Sequence, residues 1–588
     1  MDYYTIMWYN TEMIEFIYNK IRNNIRKLSM KIQRAKYGYK PKLPKDIKYF
    51  EGGMYDAIYE ASCKWPHNTA LEYSNLQVTY RELIKKINKV AKGLRALGVE
   101  KGDIVTICMP NTPEMVYMFY AINEVGAVAS MIHPLSSEKE IEDYLNQTKS
   151  KVMLCIDVAY PRVEAIIKNT KLEHLIVTSA TRSMEFIVKV LYKLTKGRKN
   201  HIHKDQTTML WQDLLAKSTR FIGNPHVRVN SDDPAVVLYS GGTTGKSKGV
   251  VLSNMNFNSQ ALSARYYAPE VLKTENAFLT FLPNFHCFGL GVCTHVPLYH
   301  GMRVVLIPLF NAKKMRSYLK KYKFNVLCGI PTLFDAMTKM KFGKNAFKGL
   351  DAVIAGGDST TDEQKKRIDT FLKAHGSRVD LRIGYGLTEA TGVVAFSPIG
   401  VKSADIIGYA LPDCDFMIRN LETGKEAPLG QDGEVLVAGP TVMIEYLNNA
   451  EETKNTFVTI NKKKYLKTGD IGFIDEKGFL HFRARLKRMI ITNGYNVYPS
   501  HVEEIATHSK YVEAAAVIGK PDKLRGEIVK IFVVLKDETT EKQALKDLKQ
   551  IFKKHLAKYE QPREYRFVAE LPKTKLNKID FRALENED

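Results

Sequence analysis

The chain runs to 588 residues, 45% of them hydrophobic and 26% charged, with 87 Lys and Arg against 64 Asp and Glu for a net charge of +23. That length is too great for one hydrophobic core and calls for two or more domains of globular composition. No uninterrupted apolar run reaches the ~18 residues of a membrane span, and seven cysteines without close pairing give neither a disulfide framework nor a zinc site, so a reducing, cytoplasmic setting is expected.

Residues 1–50 form a basic arm. Ile14, Ile17, Ile21, Ile25, Leu28 and Ile32 recur every three or four positions, the spacing of a helix face, and eight Lys or Arg fall between Lys20 and Lys40 without an acid. A secretory signal would need a continuous apolar core, which this segment lacks. The stretch 14–36 therefore either lies on an anionic membrane face or packs on the body of the protein. The excess charge comes with no recognisable nucleic-acid module, so no nucleic-acid partner is expected.

From residue 51 to about 484, continuous apolar runs alternate with helical stretches. The runs 104–109, 152–156, 236–239, 304–308 and 353–355 read as strands, and their continuity predicts parallel strands covered on both faces. The stretch 115–132 is broken by Asn123 and Glu124 and reads as a core helix. Residues 184–199 combine a stripe of Glu185, Lys189, Lys193 and Lys196 with an otherwise apolar surface, an insertion that meets either lipid or another domain. After a charged break near 483–488, a last segment of about 100 residues has short strands (514–518, 531–535) and a Lys-rich helix (541–558), the size of a small α+β domain on a hinge.

Chemistry concentrates in a few stretches. Ser240, Gly241, Gly242, Thr243, Thr244, Gly245, Lys246, Ser247, Lys248 and Gly249 follow an apolar run and precede a helix beginning near Asn256. Small residues let the backbone approach an anion, hydroxyls donate to it, and Lys246 and Lys248 neutralise its charge, so a polyphosphate is the expected guest. The P-loop pattern fails, because Ser240 stands where its first glycine belongs. Further on, Tyr385 between Gly384 and Gly386 can offer a flat face to a base. The Thr388 hydroxyl can bind a phosphate, and the Glu389 carboxylate can hold Mg²⁺ against phosphate oxygens. Asp470, read as held after a turn at 467–469, suits a bidentate grip on two ribose hydroxyls.

The order Ser-Gly-Gly-Thr-Thr-Gly-x-x-Lys-Gly over 240–249 resembles the phosphate loop of the adenylate-forming superfamily, which holds acyl-CoA synthetases, peptide-synthetase adenylation domains and luciferases. The stretches at 355–358, 384–392, 467–470, 483–487, 494–504 and 571–578 are similar to its other motifs in the same order, so the resemblance spans roughly residues 54–583. Departures stand at Asp358, at Ala484 and at Asn577, where a glycine is usual; Asn tolerates the left-handed conformation better than most residues. The resemblance implies an α/β fold. A large domain of α/β-layered subdomains plus a β-rich subdomain would cover 51–484, and a small mobile α+β domain 485–588.

It also implies a two-step reaction, in which a carboxylate attacks the α-phosphorus of ATP to give an acyl-adenylate and pyrophosphate, and a thiol then attacks the anhydride. The roles carried over place ATP phosphates at Ser240 through Lys248, with Thr244 among the catalytic groups, and Mg²⁺ at Glu389. Adenine and the acyl group fall near Gly356, Gly357 and Tyr385, ribose at Asp470 and Arg485, and pantetheine of CoA near Gly494. Lys578 would reach the α-phosphate and carboxylate, and Lys487 would be the pivot of the small domain. His286 matches an aromatic gate of fatty-acyl and aryl-CoA ligases. Amino-acid adenylating relatives place an Asp hereabouts, and 281–290 contains no acid. Apolar runs at 285–290 and 329–334 favour a non-polar acyl tail, so fatty acid, ATP and CoA are the expected substrates. Transfer of an acyl or aryl acid to an acyl-carrier protein, an aryl-acid CoA ligase, and a non-catalytic nucleotide-binding scaffold are the alternatives.

Overall fold

The computed structural model describes residues 47–179, 181–184, 202–240, 247–492, 495–522, 524–574 and 578–587. Most of the basic arm, the insertion beyond Met184, the loop residues Gly241, Gly242, Thr243, Thr244, Gly245 and Lys246, and also Gly494 and Asn577, lie outside the described residues.

The first sheet is built on the continuous apolar runs. Ile104–Cys108, Val128–Met131, Val152–Ile156, His174–Thr178 and Thr208–Leu210 pair in parallel, and Pro234–Ser240 joins them parallel to Val128–Met131. Their side chains are buried almost throughout, as parallel strands covered on both faces require. The stretch 115–132 divides in two. Its first part belongs to the wholly buried helix Pro113–Glu124, and Gly126 at φ +74° turns the chain into the strand Val128–Met131. Past the glycine-rich loop, a strand at Lys248–Ser253 runs antiparallel to Pro234–Ser240 before the helix Asn254–Tyr267 begins. The loop therefore closes a hairpin instead of joining a strand directly to a helix.

In the second sheet, Ala277–Thr280, Arg303–Leu306, Val326–Gly329, Ala352–Gly356 and Leu381–Tyr385 are parallel. Beyond Tyr385 the pairing turns antiparallel through Ala395–Phe396, Ile406–Ala410, Leu480–Arg485 and Lys463–Ile474, which forms the β-rich part. Sites in open α/β sheets gather outside the carboxyl ends of the parallel strands, where topology changes. Gly356 and Tyr385 are two such ends.

The third sheet is centred on the hairpin Val512–Asp522 and Gly526–Leu535, with Glu564–Val568 parallel to the latter. It packs with the helices Pro499–Thr507 and Glu541–His555 over a core of its own that includes Val502, Val517, Ile531, Leu548 and Phe552. It meets the larger body where both Glu504 carboxylate oxygens accept from the Asp362 backbone amide, at 3.1 and 3.2 Å. The Ser500 hydroxyl also donates to the Arg483 carbonyl, and Lys339 pairs with Glu513. Among the described residues no helix is long and apolar enough to cross a membrane.

Candidate active site

Asp470 lies within the strand Lys463–Ile474, directly opposite Arg485 on the neighbouring strand. This corrects the expected placement after a turn. A short irregularity makes it possible: Gly469 takes φ +68° and the pairing slips between Ile471 and Gly472. The Asp470 carboxylate is fully buried. One oxygen accepts from the Tyr385 hydroxyl at 2.6 Å, and the other lies 3.0 Å from Arg485 Nε. Burial pushes the Asp470 carboxyl above its ordinary range, against the pull of the Arg485 charge and the Tyr385 hydrogen bond. The Asp470 charge raises the Arg485 guanidinium in return.

Close backbone approach explains the motif glycines. Gly356 and Gly384 are partners in adjacent parallel strands, and a Cβ on Gly356 would come within 3.1 Å of both the Gly384 carbonyl and the Phe288 ring. A Cβ on Gly386 would fall 2.2 Å from the Gly392 carbonyl. The tight turn that follows presents Thr388 and Glu389. Glu389 Oε1 accepts from Ser240 Oγ at 3.1 Å and from the Tyr446 hydroxyl at 2.9 Å, which joins the edge of the glycine-rich loop to this turn. Cys287 Sγ donates to Thr388 Oγ1 at 3.8 Å. Lys248 forms an ion pair with Glu452 and lies over the Tyr446 ring at 5.1 Å, so its charge already has a partner. Tyr446 and Glu452 escaped sequence reasoning because they stand in no motif; only the pairing of Glu445–Tyr446 with Lys248–Ser253 brings them here.

Lys578 reaches in from the small domain. Its Nζ lies 3.8 Å from the position a Gly357 Cβ would occupy, and Gly357 itself holds φ +83°. Burial lowers the Lys578 ammonium from its ordinary value; the Asp358 charge opposes this and the Arg485 charge adds to it. Burial, with the Lys578 and His133 charges, pushes His286 down to about 4, so its imidazole is neutral near pH 7. The Phe285 ring stands 5.6 Å from His286 and 4.4 Å from His133. Contacts thus link Ser240 with Glu389, Tyr385 with Asp470 and Arg485, and Gly357 with Lys578 of the smaller body.

Among the described residues no group of three or more His, Cys, Asp or Glu could cage a metal ion. Glu389 stands as a single carboxylate beside the loop, and that suits Mg²⁺, which is commonly held by one or two carboxylates while substrate phosphates and water fill its other positions.

The fold is that of an α/β protein of two bodies, in which Lys578 of the smaller body approaches Gly357 just past the carboxyl end of a parallel strand. Family models agree: that for an AMP-binding enzyme matches residues 59–447, and that for the AMP-binding enzyme C-terminal domain matches 501–578. The chain belongs to the AMP-binding enzyme family. It is similar to the long-chain-fatty-acid–CoA ligase of Bacillus subtilis, 30% identical over 557 residues that cover 94% of this chain and 97% of the relative. The ligase of the same description from Yersinia pestis is 30% identical over 556 residues, covering 90% and 95%. Among solved structures, the fatty acyl CoA synthetase of Mycobacterium tuberculosis superposes with a TM-score of 0.66 at 25% identity, covering 90% of this chain and 97% of its own. ATP-bound MatB from Rhodopseudomonas palustris shares the fold at a TM-score of 0.78 and 24% identity, covering 91% and 98%.

Proposed function

We propose that the chain is an AMP-forming fatty-acid–CoA ligase. The observation that carries this reading is Lys578, set against Gly357 and close to His286, where the two bodies meet. There its ammonium would neutralise charge on the oxygens of the attacking carboxylate and the α-phosphate. Asp470 and Arg485 would grip and orient the ribose. Ser240 and the residues 241–248 would hold the triphosphate, and Mg²⁺ beside Glu389, when bound, would supply further charge neutralisation. The carboxylate oxygen bonds to the α-phosphorus as pyrophosphate leaves. The CoA sulfur then bonds to the acyl carbon as AMP leaves.

Between these steps residues 485–588 would turn against 51–484 about Lys487, withdrawing Lys578 and admitting the thiol beside Gly494. The names of the curated relatives support a fatty acid as the acid. So does an apolar cavity of ≈ 50 Å³ lined by Phe278, Val292, Val296, Ile354, Phe396 and Leu411. Ile354 lies two residues before Gly356, and Val292 belongs to the π-helix Phe288–His295, a wide turn of the kind that recurs at functional sites. An alkyl tail would enter by parting these side chains.

The test is AMP release by the purified chain with ATP, Mg²⁺ and CoA against octanoate, palmitate, benzoate and malonate. Turnover with the alkyl acids that requires CoA is expected. Turnover confined to benzoate or malonate, or indifferent to CoA, would overturn the reading.

A further inference from the structure

Four carboxamide side chains on the helix Asn254–Tyr267 are buried: Asn254, Asn256, Asn258 and Gln260. Three of them use both ends. Asn254 Oδ1 accepts from the Met54 amide at 2.9 Å, and its Nδ2 donates to the Asp233 carbonyl at 3.1 Å. Asn256 Oδ1 accepts from the Ser253 amide at 2.8 Å, and its Nδ2 donates to the Pro440 carbonyl at 2.7 Å. Asn258 Oδ1 faces His295 Nε2 at 3.0 Å, and its Nδ2 donates to the Gly52 carbonyl at 3.4 Å. Gln260 differs. Its Nε2 donates to the Thr391 carbonyl at 2.5 Å, but its Oε1 accepts from no group among the described residues.

An interchanged amide does not explain the orphan, because an oxygen in the place of Nε2 would face the Thr391 and Val393 carbonyls. A buried acceptor without a donor is costly and calls for a reason. Gln260 is only 4% exposed and lines the apolar cavity described above together with Val292 and Val393. Among the described residues every other side chain that lines it is apolar. A buried water needs two to four polar partners, and these side chains offer one acceptor. Gly291 keeps room for that oxygen, since a Cβ there would fall 2.4 Å from Gln260 Oε1.

We infer that Gln260 Oε1 accepts a hydrogen bond from a hydroxyl on the acyl chain, so that hydroxylated acids are the preferred substrates. The inference rests on the fatty-acid reading, which puts the tail in this cavity. A hydroxyl supplies the one donor that the lining side chains lack, while the methylenes on either side of it meet Val292, Val296 and Ile354. Ile354 stands two residues before Gly356, about 7 Å along the strand, so the hydroxyl belongs several carbons away from the carboxylate.

The test measures kcat/KM of the full chain, with ATP, Mg²⁺ and CoA, for stearate and for hydroxystearates that carry the hydroxyl on carbon three, carbon ten or the last carbon. The mid-chain alcohol should exceed stearate about tenfold, and the other two should stay within about twofold of stearate. Gln260→Met, of similar length but without the acceptor, should bring the mid-chain ratio to within about twofold of one. Gly291→Ala, whose methyl displaces Oε1, should lower the ratio in the same way, and it decides the matter if Gln260→Met fails to fold. No preference for the mid-chain alcohol in the native chain, or a preference that these variants leave intact, would overturn the inference while the ligase reading stands. If neither stearate nor any hydroxystearate is turned over, the fatty-acid reading fails. In that case p-hydroxycinnamate favoured over cinnamate, with the preference lost in Gly291→Ala, would keep Oε1 as the hydroxyl acceptor, and no such preference would overturn that role too.

Discussion

At the scale of single residues, the cleft is held by contacts between side chains from distant parts of the chain. Tyr446 donates to Glu389, and Tyr446→Phe removes that bond while keeping the ring beneath Lys248. A loss of about 1 kcal/mol, roughly fivefold in kcat/KM for ATP, is expected from steady-state kinetics. His481 sits between two acids, with Nδ1 2.9 Å from Asp405 and Nε2 3.2 Å from Asp475, and stacks on Phe473. Burial alone would lower its pKa, yet the bonds and charges of Asp405 and Asp475 prevail and raise it to about 9. A proton held more tightly in the folded chain stabilises it below the ordinary value of 6.5, and that stabilisation is lost as pH rises through about 9. The unfolding free energy should therefore fall across this window by an amount on the order of 2–3 kcal/mol, read as a lower thermal midpoint, and His481→Gln should flatten that part of the profile. Asp470, Glu389 and Lys578 stood out in the sequence because each falls in a stretch that resembles a family motif. Tyr446 and Glu452 did not, because a two-residue strand and the helix Ala450–Thr456 after it, which no motif announces, bring them there.

At the scale of elements, runs buried on both faces were readable as parallel strands, since nothing but sustained apolarity satisfies two covered sides. The strand Lys248–Ser253 was missed because its lysine and glycine merge with the loop before it, leaving only three apolar residues visible. The end of Glu541–His555 was misread by three residues. Lys553, Lys554 and His555 close it at the dipole's negative end, and helix formers continue past them. The contact between Pro499–Thr507 and the start of Asp362–Ala374 carries its own titration. Burial and then the Asp362 charge, with Asp405 and Glu363 adding to it, raise Glu504 to about 7 from an ordinary 4.5. The docked arrangement therefore takes up a proton more readily than the undocked one. Docking should be strongest below about 4.5, weaken as pH rises toward about 7 and level off beyond. Fluorescence transfer between labels on the two bodies should show this fall in the native chain. Glu504→Gln should leave the docked fraction flat over the same range, and an unaltered slope in that variant would remove Glu504 from the account.

At the scale of the molecule, two hydrophobic cores stand on either side of residues 486–488, as the proposed turning of the smaller body about Lys487 would need. Composition alone pointed to more than one domain, and the order of the motifs pointed to a shared site. Which loops and side chains close that site depends on contacts hundreds of residues apart, such as Tyr385 with Asp470 or Ser240 with Glu389. The central claim is that the small body delivers Lys578 to the reacting carboxylate and phosphate in the first step only. Lys578→Ala should lower acyl-adenylate formation, followed as pyrophosphate exchange into ATP with palmitate, by about 10²–10³. The same variant, given synthetic palmitoyl-adenylate and CoA, should release palmitoyl-CoA within about threefold of the native rate, because the withdrawn lysine takes no part there. Pyrophosphate exchange at the native rate in Lys578→Ala, or equal loss in both steps, would contradict the account.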